Sequence, residues 1–124
     1  MTEIRIHGRG GQGSVTMAEL LAEAAYNSNQ QSQAFPNFGV ERRGAPVTAY
    51  ARISDKFIRL RSQVYSPDYI IIQDPTLLTD NKILDDLKSG STVLVNSSKP
   101  LTNLALPKGI RLKKQRTKLY IIVK

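Results

Sequence analysis

The stretch Glu3-Ile4-Arg5-Ile6-His7-Gly8-Arg9-Gly10-Gly11-Gln12-Gly13-Ser14 joins two kinds of backbone. Residues 3–7 alternate polar and apolar side chains, the period of a strand with one face buried. Residues 8–13 hold four glycines, too many for a helix or a strand interior. Ser14 then stands where an N-cap is expected, its hydroxyl able to accept from an orphan amide of the first turn. Met17, Leu20, Leu21, Ala24 and Ala25 follow at i, i+3, i+4, i+7 and i+8, one face of an amphipathic helix, with Glu19 and Glu23 on the other side. Asn27-Ser28-Asn29 ends it. Strand, glycine loop and helix in that order form a frame on which α/β domains hold anions.

Gly8-x-Gly10-x-x-Gly13 matches the dinucleotide fingerprint and has its context of strand before and helix after. The extra Gly11 loosens the pattern. The acid that would hold a ribose about 20 residues on is missing, and Gln30, Gln31 and Gln33 occupy that region. No lysine follows Gly13, which excludes a P-loop. Three readings stay open. Gly8, Gly10, Gly11, Gln12, Gly13 and Ser14 hold an anion such as a phosphate or a CoA nucleotide; they make a tight strand-to-helix turn with no ligand; or, behind both, they hold NAD.

Outward from the loop, Ser32–Phe35 reads as a second strand and Pro36-Asn37-Phe38-Gly39 as a break. The loop Glu41-Arg42-Arg43-Gly44 follows. Its guanidiniums can clamp a phosphate or lock onto another subunit, or they can form a solvated ion pair with Glu41 that is worth little. Phe35 and Phe38 beside it favour an interface, since aromatics and arginine are enriched there. Val47–Ser54 and Phe57–Arg61 are expected to form a hairpin. Tyr69–Ile72 and Thr92–Asn96 are apolar runs suited to strands buried on both faces, as in a parallel sheet. Asp80–Lys88 reads as a short helix with Ile83, Leu84 and Leu87 on one face, stopped by Gly90, and Leu119–Val123 as a possible last strand. The expected fold is α/β and Rossmann-like: a mainly parallel sheet with helices, plus a hairpin insertion.

Composition narrows the chemistry. The 124 residues suit one domain. With no cysteine, the chain itself supplies no disulfide, thiolate zinc site, Cys nucleophile or cysteine-held iron–sulfur cluster. Its one histidine, His7, lacks carboxylates at ligand spacing and reads as structural, so neither a metal site nor a catalytic set is expected. No apolar run approaches the ~18 residues of a membrane span, and no secretory segment opens the chain. A soluble, cytoplasmic domain is the expectation, with no membrane partner. The net charge of +8 is uneven: residues 108–124 hold seven cations and no acid, while residues 1–107 hold 11 basic and 10 acidic side chains. This gives a body over residues 1–107 and a basic C-terminal tail over 108–124, which is expected to be less well packed. Only Tyr120 offers a stacking ring there, so nucleic acid is not the expected partner.

Arg5–Gly13 together with Gly39-Val40-Glu41-Arg42-Arg43-Gly44-Ala45-Pro46 resembles the gamma subunit of 2-oxoacid:ferredoxin oxidoreductases, over roughly residues 3–110. The resemblance implies a non-redox subunit of an enzyme that decarboxylates pyruvate or another 2-oxoacid to an acyl-CoA and reduces ferredoxin. It implies alpha and beta subunits holding thiamine diphosphate and magnesium, a delta subunit with iron–sulfur clusters, and CoA as substrate of the complex. On that view Gly10–Gly13 face an anion or CoA, and Phe38, Glu41, Arg42, Arg43 and Gly44 order a subunit interface or CoA phosphates. The chain would be inactive alone. Residues 108–124 depart from the family's usual continuation, which suggests a truncated or frame-altered end. The alternative is a stand-alone nucleotide- or anion-binding α/β module whose basic tail binds nucleic acid.

Overall fold

The computed structural model describes residues 1–37, 43–99, 101, 111–116 and 119–123. Among them lie strands β1 (Thr2–Arg9), β2 (Gln31–Pro36), β3 (Pro46–Ser54), β4 (Tyr69–Ile72), β5 (Thr92–Asn96), β6 (Arg111–Arg116) and β7 (Leu119–Val123), and the helix α1 (Ser14–Asn27). They make one sheet of order β2-β3-β1-β4-β5-β7-β6. β1, β4 and β5 are adjacent and parallel, as their apolar runs predict. The other four pairings are antiparallel, so the sheet is mixed and not mainly parallel. β1 and β2 both run antiparallel to β3, which sits between them.

Alternation sorts the side chains onto two faces. On one, Ile4, Ile6, Ala49 and Ala51 pack under α1 with Ala18, joined by Val15, Met17 and Leu21. On the other, Ile70, Ile72, Val93 and Val95 are covered by Leu78, Leu84 and Leu87. The register sets Arg5 beside Ile70 and His7 beside Ile72, so these two polar residues share the second face.

Several expectations are corrected. Phe57–Arg61 is not a strand, and no hairpin joins it to β3; β2 fills that place instead. Asp80–Lys88 is not an α-helix. Pro75–Thr79 and Asn81–Leu84 are 3-10 turns, each capped by an aspartate, Asp74 or Asp80, that accepts from the amide two residues on. Two caps six residues apart divide the segment into turns too short to propagate a helix. Leu84 and Leu87 nevertheless reach the core as expected. On α1, Met17 and Leu21 pack on the sheet and Ala25 is buried as expected, but Ala18 is buried too and Leu20, expected on that face, is 59% exposed. The helix ends at Ser28, with Asn29 left-handed at φ 60° and the Gln30 amide donating back to the Ala25 carbonyl. Leu119–Val123 is a strand against β5, and Arg111–Arg116, not foreseen, pairs with it.

Candidate functional site

The glycine loop leaves β1 at the carboxyl ends of β1, β4 and β5, the end where open α/β sheets place ligands. Each glycine has its own reason to be there. Gly8 lies inside β1, and a Cβ on it would overlap the Ser14 hydroxyl and the end of the Gln73 side chain, so a larger residue would displace the hydrogen bond between them. Gly11 and Gly13 have φ of 93° and 81°, a region side chains rarely adopt. Gly13 takes the N-cap position in that left-handed conformation. This corrects the role expected for Ser14, which is the first helical residue and whose hydroxyl donates to Gln73 Oε1.

The loop's own amides are partly spent. Gly10 N–H donates to the Ala45 carbonyl (2.8 Å) and Gln12 N–H to the Arg9 carbonyl (3.0 Å). The first-turn amides of Ser14, Val15 and Thr16 precede the first intrahelical donor, Met17. Ser14, Val15 and Thr16 line a cavity of about 260 Å³ with Gly11, Gly13 and Arg9. A second, apolar cavity of about 550 Å³ lies between Gln12, Met17, Ile71 and Leu94. A third, of about 320 Å³, opens on the other sheet face beside His7, Thr48 and Asp80.

The two sequence segments meet. Gly10 and Arg43 form a β-bridge, Gly44 N–H donates to the Gly10 carbonyl at 3.1 Å, and Arg9 Nη1 donates to the Gly44 carbonyl at 3.1 Å. Gly44, at φ 83°, makes the turn that allows this. Arg43 is exposed beside the loop. Phe38, Glu41 and Arg42 lie outside the described residues.

A second wall was not anticipated. Gln12 spans it: its Oε1 accepts from Arg9 N–H (2.7 Å) and its Nε2 donates to Asp74 Oδ2 (3.0 Å). Arg9 also reaches the Thr76 hydroxyl (3.0 Å). The Thr76 hydroxyl and amide hydrogen bonds hold the Asp74 carboxyl below its ordinary pKa, with Gln12 and Arg9 adding to the effect. The signal was legible in Asp74-Pro75-Thr76, an acid before a proline that starts a helical turn.

His7 has a hydrogen-bond partner within its own strand. Its Nε2 accepts from Arg5 Nε at 2.9 Å, which makes Nδ1 the protonated nitrogen. Burial, with the Arg5 charge second, holds its pKa down to about 4, and Asp86 and Asp80 oppose the shift. Among the described residues, no group of three or more His, Asp or Glu side chains is placed to hold a metal ion. No helix there is long and apolar enough to cross a membrane.

A mixed α/β sheet with a glycine loop locked to an arginine loop at its carboxyl end defines the class. The chain belongs to the pyruvate ferredoxin/flavodoxin oxidoreductase family, which matches residues 3–123. It is 57% identical over 106 residues to pyruvate synthase subunit PorC of Methanosarcina barkeri, covering 86% of this chain and 58% of that one. It is 50% identical over 122 residues to the pyruvate/ketoisovalerate oxidoreductases common subunit gamma of Thermococcus litoralis, covering 98% and 64%. The crystal structure of pyruvate oxidoreductase subunit PORC from Thermotoga maritima superimposes with a TM-score of 0.69 at 40% identity, over 81% of this chain and 52% of that one. The chain therefore spans between half and two thirds of the length of these relatives.

Proposed function

We propose that this chain is the non-redox gamma subunit of a cytoplasmic, multi-subunit 2-oxoacid:ferredoxin oxidoreductase, which converts pyruvate or another 2-oxoacid to an acyl-CoA while ferredoxin is reduced. Alpha and beta subunits hold thiamine diphosphate and magnesium, and a delta subunit holds iron–sulfur clusters. The absence of cysteine fits a subunit that ligates no cluster. Within this reading residues 1–107 form the gamma-type domain and 108–124 an atypical basic end.

The observation that carries the reading is the Gly10–Arg43 bridge. It holds the Arg43 backbone against the loop whose cavity is lined by Arg9, Gly11, Gly13 and the first helical residues Ser14, Val15 and Thr16, a combination suited to an anionic group such as a CoA phosphate. Among the described residues the amides of Gly11, Gly13, Ser14, Val15 and Thr16 make no backbone hydrogen bond, whereas Gly10 and Gln12 spend theirs inside the loop. Pairing of β7 with β5 counts against a free nucleic-acid-binding arm.

Mass spectrometry of the purified native complex is expected to find large thiamine-binding chains. In that complex, Arg43→Ala is expected to raise KM for CoA about tenfold or more, from loss of a charge-assisted contact worth ~1.5–3 kcal/mol, and to leave KM for the 2-oxoacid unchanged. Absence of the large chains would overturn the subunit reading. An unchanged KM for CoA would reduce these loops to structural turns.

A further inference from the structure

At the opposite end of the sheet from the glycine loop, residues 56–67 leave β3 and cross to β4 without regular structure. Ile58, Val64 and Pro67 are buried and anchor the segment. Buried or half-buried side chains beneath it supply the hydrogen bonds that its backbone lacks. Arg52 Nη2 donates to the Gln63 carbonyl (3.1 Å) and Gln33 Nε2 to the Leu60 carbonyl (2.9 Å). Gln63 Nε2 donates to Asn37 Oδ1 (2.8 Å).

So held, the strap turns its largest apolar side chains outward. Phe57 is 73% exposed, Tyr65 68% and Leu60 45%. Lys56, Arg59 and Arg61 lie among them, all exposed, with no acid from 56 to 67. The flanking acids are engaged elsewhere: Asp68 pairs with Lys88 at 2.8 Å and Asp55 accepts from Gln30. None of the three cations has an ion-pair partner among the described residues. Large exposed rings cost solubility and are retained where a partner covers them, and aromatics with arginine are enriched at protein interfaces.

We propose that this strap is a docking surface for an acidic, apolar-pocketed face of another protein chain in the same complex. This rests on the subunit reading above. Uncompensated positive charge calls for a carboxylate-rich partner, and the rings call for apolar seats between the carboxylates. Three cations are too few to hold a polyanion across many phosphates, which favours protein over nucleic acid. Because the strap is already fixed by its anchors, binding does not have to order it.

The test uses the native complex with Phe57 or Tyr65 replaced by the photo-crosslinking residue p-benzoylphenylalanine. Crosslinks to one partner chain, mapping to a segment rich in Asp and Glu, are expected. The double variant Arg59→Glu/Arg61→Glu is expected to weaken association at least tenfold at low salt and to flatten its salt dependence. Its thermal unfolding should be unchanged, because both side chains are exposed. A complex that assembles with normal affinity in this variant, or crosslinks only to a second copy of this chain, would overturn the proposal and leave the subunit reading standing. Crosslinking to a bound oligonucleotide in place of protein would overturn it in favour of nucleic acid. A chain that purifies without partners would overturn both readings.

Discussion

The face of β1 and β3 under α1 carries Ile4, Ile6, Ala49 and Ala51, while the opposite face of the same strands carries Arg5, His7, Tyr50 and Arg52. The contrast follows from what covers each face. A helix satisfies its own backbone, so the sheet beneath it needs only small apolar side chains that allow close approach. The other face is covered by irregular chain, whose carbonyls have no ladder to join. Buried arginines meet that need. Arg52 is 1% exposed and reaches Glu3, Gln33 and the Gln63 carbonyl. Arg5 pairs with Asp86 through both Nη atoms and donates to the Ile83 carbonyl. Charge is buried here where regular structure is missing above it.

Removing Arg52 is the hardest test of that contrast. Arg52→Ala removes the partner of the Glu3 carboxylate and of Gln33 Oε1 and frees the Gln63 carbonyl, for an expected loss of about 3 kcal/mol. Urea denaturation gives the size, and hydrogen exchange gives the place. Amides of residues 57–65 should exchange faster while those of α1 keep their protection relative to global unfolding. Equal loosening of both covers would break the comparison.

A smaller effect should appear with pH. His7 has an ordinary value of 6.5 and is held down to about 4 in the folded chain, first by burial and then by Arg5. Between those values the unfolded chain takes up a proton that the folded chain refuses. The stability contribution is complete above pH 6.5 and is lost as pH falls towards 4, roughly 3 kcal/mol in all. Stability measured from pH 7 to 4 should show this slope, and His7→Gln should flatten it. An identical slope in the variant would assign it to other groups.

The smallest expected effect is on the helix. Leu20 points away from the sheet, so Leu20→Ser should change stability by no more than ~0.5 kcal/mol. A loss of several times that would mean the helix buries the face its spacing first suggested.

That helix shows how far local pattern reaches. Its start, end and amphipathic character were legible, yet Met17, Leu20, Leu21, Ala24 and Ala25 fit the period as well as the true set containing Ala18. Alanine carries too little hydrophobic signal to mark the close contact it makes. β1, β4 and β5 were legible because their runs end at glycine, proline or aspartate. Phe57-Ile58-Arg59-Leu60-Arg61 alternates like a strand, but it is held by side chains from residues 33 and 52, which no local pattern reveals. In the glycine loop the turn was legible, and the tie to Asp74 was not. Arg43 lies 33 positions from Gly10, and Asp74 62 from Gln12.

The place of β3 between β1 and β2 also constrains the order of assembly. A chain emerging from synthesis completes β1, α1 and β2 before any residue of β3 exists, and those two strands share no hydrogen bond with each other. Strand pairing joins them only through β3. Pro46–Ser54 has to enter the gap and pair on both of its edges, closing loops of different length in one event. β3 is therefore the latch that joins β1 and β2 into one sheet.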